Sequence, residues 1–246
     1  MMQHTIIICG YGQGISQAVA RRFGKAGHRV AVVARNAQRL TAAVQQLTEE
    51  GIQARAFPAD LSDVAAVRRV VAVVRLVWGP VGIMHWNAFL DIEGDLLSIP
   101  PADLSNSFDL RVASYITAVQ ACLADLEAHQ GTVLATCGIM ALDKPEINAF
   151  PTGYGALAIS VAAQHKATGI LAHTLAARGI HVGEVIVNGF VAGTPGADGK
   201  QNTVAPADVA ECSWALHTKR QAHSVICGTA ARHARNRLQR HRRAKE

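Results

Sequence analysis

Nowhere does the chain carry an apolar run approaching the roughly 20 residues that a bilayer-spanning helix needs. That excludes an ordinary membrane anchor. The opening "MMQHTIIICGYG" lacks a basic leading region, and its short apolar stretch runs straight into a glycine turn. It reads as a first β-strand rather than a secretion signal. Cysteine is sparse: Cys9, Cys122, Cys137, Cys212 and Cys227 are odd in number, scattered, and never in a C-x-x-C pair. A disulfide framework is not expected, no metal ligands are assigned, and reduced thiols in a cytoplasmic protein are the better account. Charged residues make up only 17% of the chain against 50% apolar. Extensive disorder is thereby excluded, and 246 residues suit one large α/β domain.

The body also lacks net charge. The total is +6, but seven of the 24 Lys/Arg and one of the 18 Asp/Glu fall in "RHARNRLQRHRRAKE", from Arg232 to the end. The remainder balances at 17 of each sign. Residues 231–246 are therefore set apart as a basic tail from a domain spanning 1–230. Such a tail can meet nucleic acid or an acidic membrane surface. It has no interleaved aromatics, and a solvated, flexible terminus explains it more simply. Neither nucleic acid nor membrane is the expected partner.

What is present is an alternation of strand and helix. "HTIIICG" is closed by glycines, and "GISQAVARRFGKAG" then carries apolar residues at helical spacing up to Gly27. "RVAVVA" is a second strand, followed by a helix with Asn36 as N-cap and Gly51 at its end. "IQARAFPAD" is a third strand, and the next helix opens on a Ser62 cap and stops at Gly79-Pro80. "VGIMHWNA", "GTVLATCG", "GIHVGEVIV" and "HSVIC" give four further strands. Between them lie a long stretch at 103–130 suited to one bent helix or two, a small-residue helix over 153–177, and "PADVAECSWALHT". Val- and Ile-rich runs without polar alternation indicate strands buried on both faces. The expectation is a single doubly wound α/β domain of Rossmann type, with a parallel sheet of about seven strands and helices on both faces.

Gly10, Gly12 and Gly14 lie between the first strand and the first helix. Glycines there let the backbone approach a phosphate closely, and the helix N-terminus supplies free N–H groups and partial positive charge. An ordinary glycine turn would look the same. At the end of the second strand, "VAVVARN" places Ala34 and Arg35 where a carboxylate would hold the ribose of NAD. A guanidinium binds a 2′-phosphate that an acid would repel, so NADP(H) is favoured over NAD(H) unless Arg35 is only a solvated loop residue.

These residues make the chain resemble the short-chain dehydrogenase/reductase superfamily over about residues 4–228. The family's T-G-x-x-x-G-x-G pattern falls on Cys9, Gly10, Gly14 and Ser16, with Ile15 between the last two. Ser16 replaces a glycine and adds bulk where helix and strand pack closely, which predicts a slightly shifted pyrophosphate. The adenine-contacting Asp of the family falls on Asp60, followed by Leu61, in "PADLSD". Its N-N-A-G segment falls on Trp86, Asn87, Ala88 and Phe89. Its P-G after the sixth strand becomes Asn188-Gly189, and "GFVAGTP" supplies Thr194 on the nicotinamide side.

The resemblance also implies a Tyr acid/base, a Lys four residues later that lowers its pKa, a Ser that polarises the carbonyl, and an Asn in a proton relay. A phenol near pKa 10 is a poor base at neutral pH, which is why the ammonium matters. Here the Asn position falls on Arg111 in "FDLRVASY" and the Ser position on Gly138 in "ATCGIM", beside Cys137. The Tyr position can be Tyr154, which puts Ala158 at the lysine. Counting back from "LAHTLAARGIHV" instead puts Leu157 and Val161 at the pair. Neither register supplies a lysine. Tyr154 and Cys137 are the remaining catalytic candidates. Lys144 in "ALDKPEINAFPTG" is a possible substitute cation, whereas Lys166 lies two turns further along the helix. His85 is read as a packed, hydrogen-bonded residue, and Asp91, Glu93 and Asp95 as a solvated acidic loop.

The function favoured is a divergent NADP(H)-dependent oxidoreductase acting on a small C=O, C=N or activated C=C substrate. A catalytically silent NADP(H) sensor or scaffold and a non-redox enzyme on the same fold stay open. The small-residue helix resembles the family's packing helix and implies a homodimer or homotetramer.

Overall fold

Strands form where apolar residues run together, and in the computed structural model the central ones are buried almost throughout while the two edge strands of the main sheet are partly exposed. The structure describes residues 4–149 and 153–228. Strands β1 (Thr5–Cys9), β2 (Arg29–Ala34), β3 (Ala54–Pro58), β4 (Val81–Trp86), β5 (Thr132–Gly138) and β6 (His181–Asn188) are followed by a two-residue pair, β7 (Phe190–Val191) and β8 (Thr203–Val204), and by β9 (Ser224–Gly228). The main sheet has the order β3-β2-β1-β4-β5-β6-β9 and is parallel throughout. The expected seven-stranded doubly wound sheet is what forms. β1 and β4 are neighbours across the reversal of strand order, the place where such sheets open a crevice for ligands.

Helices α1 (Ile15–Lys25), α2 (Ala37–Glu49), α3 (Val64–Trp78), α4 (Pro101–Phe108), α5 (Tyr115–Ala128), α6 (Pro145–Asn148), α7 (Gly155–Ala176) and α8 (Pro206–Lys219) cover both faces. One core joins Ile7, Ala31, Met84 and Val133 to Val67, Val71, Tyr115, Ala118 and Leu175 of α3, α5 and α7. The other joins Ile6, Val30, Ile83 and Val185 to Val19, Phe23, Leu40, Val209 and Leu216 of α1, α2 and α8. Among the described residues no helix is long and apolar enough to cross a membrane.

Local chemistry sets the boundaries. Asn36 caps α2 by accepting from the Arg39 N–H at 2.9 Å. The cap of α3 is Asp63 rather than Ser62: Asp63 accepts from the Ala65 N–H at 2.8 Å, while the Ser62 hydroxyl donates to Asp60. A carboxylate satisfies an orphan N–H and also meets the positive end of the helix dipole, so it outcompetes the hydroxyl. The stretch before β5 is one continuous helical path, α4 to α5, joined by a π-helical turn at Asp109–Ser114. That turn carries Arg111. Helix α7 starts at Gly155, so Tyr154 sits in its N-cap position and outside the helix. The basic tail, residues 231–246, lies outside the described residues.

Candidate active site

The glycine turn is built by close approach. Gly10 has φ +83°, and a Cβ there would come within 2.5 Å of the Ala88 backbone. Only glycine fits that contact. Gly14 has φ +89° and precedes α1 with no side-chain cap, so the first-turn N–H groups are left without a side-chain partner. A Cβ on Gly14 would meet the Thr194 methyl at 3.0 Å. The loop after β6 therefore closes directly over the turn. Thr194 is fixed there by its hydroxyl, which donates to the Val191 carbonyl at 2.7 Å. Gly12 is exposed with open space around it, and Ile15 is buried beneath.

Ser16 does not crowd this turn. Its side chain is fully buried, its hydroxyl donates to the Gly10 carbonyl at 2.8 Å, and it accepts from the Asn87 side-chain amide at 2.8 Å. The hydroxyl thus ties the glycine turn to the segment after β4, whose Asn87 N–H also donates to the Cys9 carbonyl. The sequence pattern flagged Ser16 as a departure and did not reveal this bridge. Asn87 is half-buried and Ala88 buried, both on the crevice. Gly189, with φ +145°, packs against Asn202 and Val204.

Arg35 is exposed at the end of β2. It lies close enough to Asp60 to help hold that carboxyl below its usual range, although the larger causes are the Ser62 N–H and hydroxyl donating to Asp60. Leu61 is buried under that turn. The crevice thus has positive-φ glycines at Gly10 and Gly14, an α1 N-terminus without a side-chain cap, Thr194 packed against Gly14, and the exposed Arg35 guanidinium near Asp60.

The catalytic end is occupied differently. Tyr154 is 38% exposed, and its hydroxyl donates to Glu93 at 3.5 Å. Gly94 pairs across to the same residue, accepting from the Gly155 N–H and donating to the Gly153 carbonyl. The acidic loop and the start of α7 are thus tied together. The Glu93 charge, with smaller effects from burial and Asp91, pushes the Tyr154 phenol up rather than down. Cys137 is 4% exposed, and burial followed by the Glu184 carboxylate pushes its thiol well up. Neither candidate is activated as a nucleophile or base. Lys144 is exposed at the start of α6, and Lys166 is exposed on α7.

Arg111 is 6% exposed and donates to the Gln164 side chain at 3.0 Å; Gln164 in turn donates to the Thr136 carbonyl at 3.1 Å. Burial lowers the Arg111 pKa to about 10, which leaves it charged at neutral pH. Its guanidinium also lies 5.5 Å over the Phe89 ring. Val161 is buried against Cys137, Ala141 and Ile186. His85 is fully buried, with Nε2 3.2 Å from the Thr136 hydroxyl, and burial holds its pKa down to about 4.

A family model described as short chain dehydrogenase matches residues 4–204. The chain belongs to the short-chain dehydrogenase/reductase superfamily. Among curated relatives, a short chain dehydrogenase of Pseudocercospora fijiensis (strain CIRAD86) is 29% identical over 181 residues, 70% of this chain and 58% of that one. The 2,3-dihydro-2,3-dihydroxybenzoate dehydrogenase of Bacillus subtilis (strain 168) is 40% identical over 77 residues, 31% of this chain and 30% of the relative. The matched stretches span less than two thirds of these relatives. A short chain dehydrogenase from Burkholderia cenocepacia J2315, solved in complex with NADP, is 26% identical with a TM-score of 0.81, over 92% of this chain and 96% of that one. A blue fluorescent protein from a metagenomic library, solved with NADPH, is 25% identical with a TM-score of 0.79, over 91% and 96%.

Neither register of the short-chain dehydrogenase/reductase pattern has a lysine, and the structure shows what surrounds the two positions. Ala158 is half-buried on α7 and Val161 is walled in by apolar neighbours. Gly138 ends β5 with open space where a serine side chain would stand. Arg111, Gln164 and Glu184 are buried polar residues at this end of the molecule, and the partly exposed His165 bonds to Glu184. Only Arg111 of these was singled out from sequence. Glu184, the one charge in the apolar strand "HVGEVIV", was the available signal for the rest.

Proposed function

We propose that the chain is an NADP(H)-dependent oxidoreductase that passes a hydride between the nicotinamide and a small C=O, C=N or activated C=C substrate. The observation that carries this is the cradle: an uncapped α1 N-terminus behind positive-φ glycines, with exposed Arg35 where an acid would select NAD. The residues fit the group. Gly10, Gly12, Gly14 and Ile15 would hold the pyrophosphate, Arg35 the 2′-phosphate, Asp60 and Leu61 the adenine, and Asn87, Ala88, Gly189 and Thr194 the nicotinamide side. When bound, the nucleotide supplies or accepts the hydride.

The proton is handled by what remains. The Glu93 charge and then burial push the Tyr154 phenol up. That makes it a weak proton donor and leaves no phenolate to act as base at neutral pH, so the reducing direction is the one it can serve. Reduction of a C=N or activated C=C bond asks less of a proton relay than reduction of a ketone. The test is a fluorescence titration with NADPH and NADH on the wild type and on Arg35→Ala. Preference for NADPH that the variant loses supports the reading; absence of binding by either nucleotide ends it.

A second reading is a catalytically silent NADP(H)-binding protein. It is favoured by Val161 filling a lysine position inside an apolar cluster and by Arg111 being committed to Gln164. An NADPH-consumption screen over carbonyls, imines and enones separates the two: turnover of any class supports the enzyme, and a flat screen with tight NADPH binding supports the silent form.

A further inference from the structure

Under α7, three side chains from three elements converge. Cys137 lies next to the end of β5, Glu184 stands on the adjacent β6, and His165 reaches down from α7. In the β5–β6 register Cys137 pairs with Ile186, so Glu184 is two residues back on the next strand, on the same face of the sheet. The Cys137 sulfur, a ring nitrogen of His165 and a carboxylate oxygen of Glu184 all lie within 4.8 Å of one another.

Glu184 is the unusual member. It is 1% exposed in a strand that is otherwise buried and mostly apolar. One of its oxygens is hydrogen-bonded to His165 Nδ1, and the Cys137 thiol also bonds to the carboxylate, so the three groups hold one another and no other side chain is hydrogen-bonded to Glu184 among the described residues. A buried carboxylate is normally fully paired or bound to a metal. Arg111 lies nearby but directs its Nη1 donor to Gln164.

We infer that Cys137, His165 and Glu184 form a binding site for a borderline divalent cation of the zinc class. Sulfur, imidazole nitrogen and carboxylate oxygen are the donors zinc takes, and a hard cation such as Mg²⁺ would not select the thiolate. Three protein donors leave the fourth position to water. Thiolate and carboxylate together carry two negative charges and neutralise the ion. Binding requires Cys137 to release its proton to solvent and His165 to release any proton it shares with Glu184. Arg111 and Lys166 stand nearby as opposing charges, so the site is weaker than a four-residue structural zinc centre. The inference is independent of the nucleotide reading, because none of the three donors belongs to the cradle.

The experiment is a Co²⁺ titration of the full chain, stripped with a chelator and kept reduced without thiol reagents. One equivalent of Co²⁺ should produce a thiolate-to-cobalt charge-transfer band in the near ultraviolet, displaced by Zn²⁺. Cys137→Ser should abolish the band, and His165→Gln should weaken Co²⁺ binding by about tenfold or more. His165 is partly exposed, and glutamine there keeps an N–H donor for Glu184, so this variant keeps the test valid if Cys137→Ser or Glu184→Gln disturbs folding. His173→Gln, on the exposed side of α7, should titrate like the wild type. Cobalt held by surface histidines gives no thiolate band. Absence of the band in the wild type, its persistence in Cys137→Ser, or unchanged affinity in His165→Gln would overturn the proposal.

Discussion

The cofactor end and the catalytic end lie on the same edge of one sheet and differ in what their polar groups are doing. At the cofactor end the donors are left available: the first-turn N–H groups of α1 have no side-chain cap and Arg35 is exposed. At the catalytic end the polar groups satisfy one another: Arg111 holds Gln164, Gln164 holds the Thr136 carbonyl, and Tyr154 holds Glu93. A phosphate cradle is made mostly of backbone, so it survives side-chain drift as long as the glycines stay. A proton relay is made of particular side chains, and replacing one leaves a buried space that the rest of the core fills.

The largest effect expected is from trying to undo that filling. Val161→Lys restores the cation that the family resemblance implies, but the site is walled by Cys137, Ala141 and Ile186. An ammonium held there must be neutral, which costs roughly 4 kcal/mol at neutral pH when burial drives its pKa well below 7. Urea denaturation should show a loss of about that size with no gain in turnover. A variant as stable as the wild type would mean that the catalytic end has kept room for its lysine after all.

Acid should separate the two ends from the rest of the molecule by nearly as much. His85, fully buried near the catalytic end, has its pKa held to about 4 by burial. His181 and His217, at the opposite edge of the sheet, are also lowered to about 4, by burial first and then by the nearby charges of Arg220 and, for His217, His28. A histidine whose folded pKa is depressed stabilises the fold in its neutral form. That stability is complete above the unfolded value near 6.5 and is lost as pH falls from about 6.5 to about 4. For His85 the loss is about 3 kcal/mol. Denaturation midpoints from pH 7 to pH 4 should fall steeply, and His85→Gln, which keeps a partner for the Thr136 hydroxyl, should flatten part of that fall. An unchanged slope would assign the acid sensitivity to the opposite edge.

The fold was legible in the sequence because its signals are periodic and local. Short apolar runs closed by turn residues marked the strands of the main sheet, Asn36 marked a helix start through its side-chain cap, and Gly79 marked a helix end through its backbone freedom. The glycine turn was legible for a related reason, since glycine at Gly10 and Gly14 reports a backbone shape rather than a partner. The misses all depend on which partner a side chain finds. Ser62 and Asp63 are both good caps, and the carboxylate's favour at the helix N-terminus together with the bond from Ser62 to Asp60 decides between them. Ser16 looked like a steric intrusion, because its partners Gly10 and Asn87 are joined to it only by the crossover. The meeting of Cys137, His165 and Glu184 depends on strand register, which no spacing rule on scattered residues reports.

A smaller effect sharpens the cofactor side. Arg35→Ala removes an exposed guanidinium and should leave stability within about 0.5 kcal/mol. NADPH affinity should drop by about tenfold or more, the worth of a charge-assisted hydrogen bond to phosphate, with NADH unaffected. Equal loss for both nucleotides would show that Arg35 supports the loop rather than the 2′-phosphate.

The smallest expected effect tests whether the cradle owes its shape to glycine alone. Ser16→Ala keeps the helix but removes the hydroxyl that joins the Gly10 carbonyl to the Asn87 amide. Both groups sit in a part-buried position, and leaving them unpaired should cost about 1 kcal/mol. The same change frees Asn87, so nucleotide affinity should fall several-fold, with NADPH and NADH affected alike because the change lies at the shared pyrophosphate. Ser16→Gly adds the backbone freedom of glycine in the first turn of α1 and should be less stable than Ser16→Ala. If either variant binds as tightly as the wild type, the cradle is held by Gly10 packing on Ala88, and the serine is a tolerated replacement. If binding falls in both, this chain has exchanged one glycine of the family pattern for a hydrogen-bonded brace that does the same positioning by different chemistry.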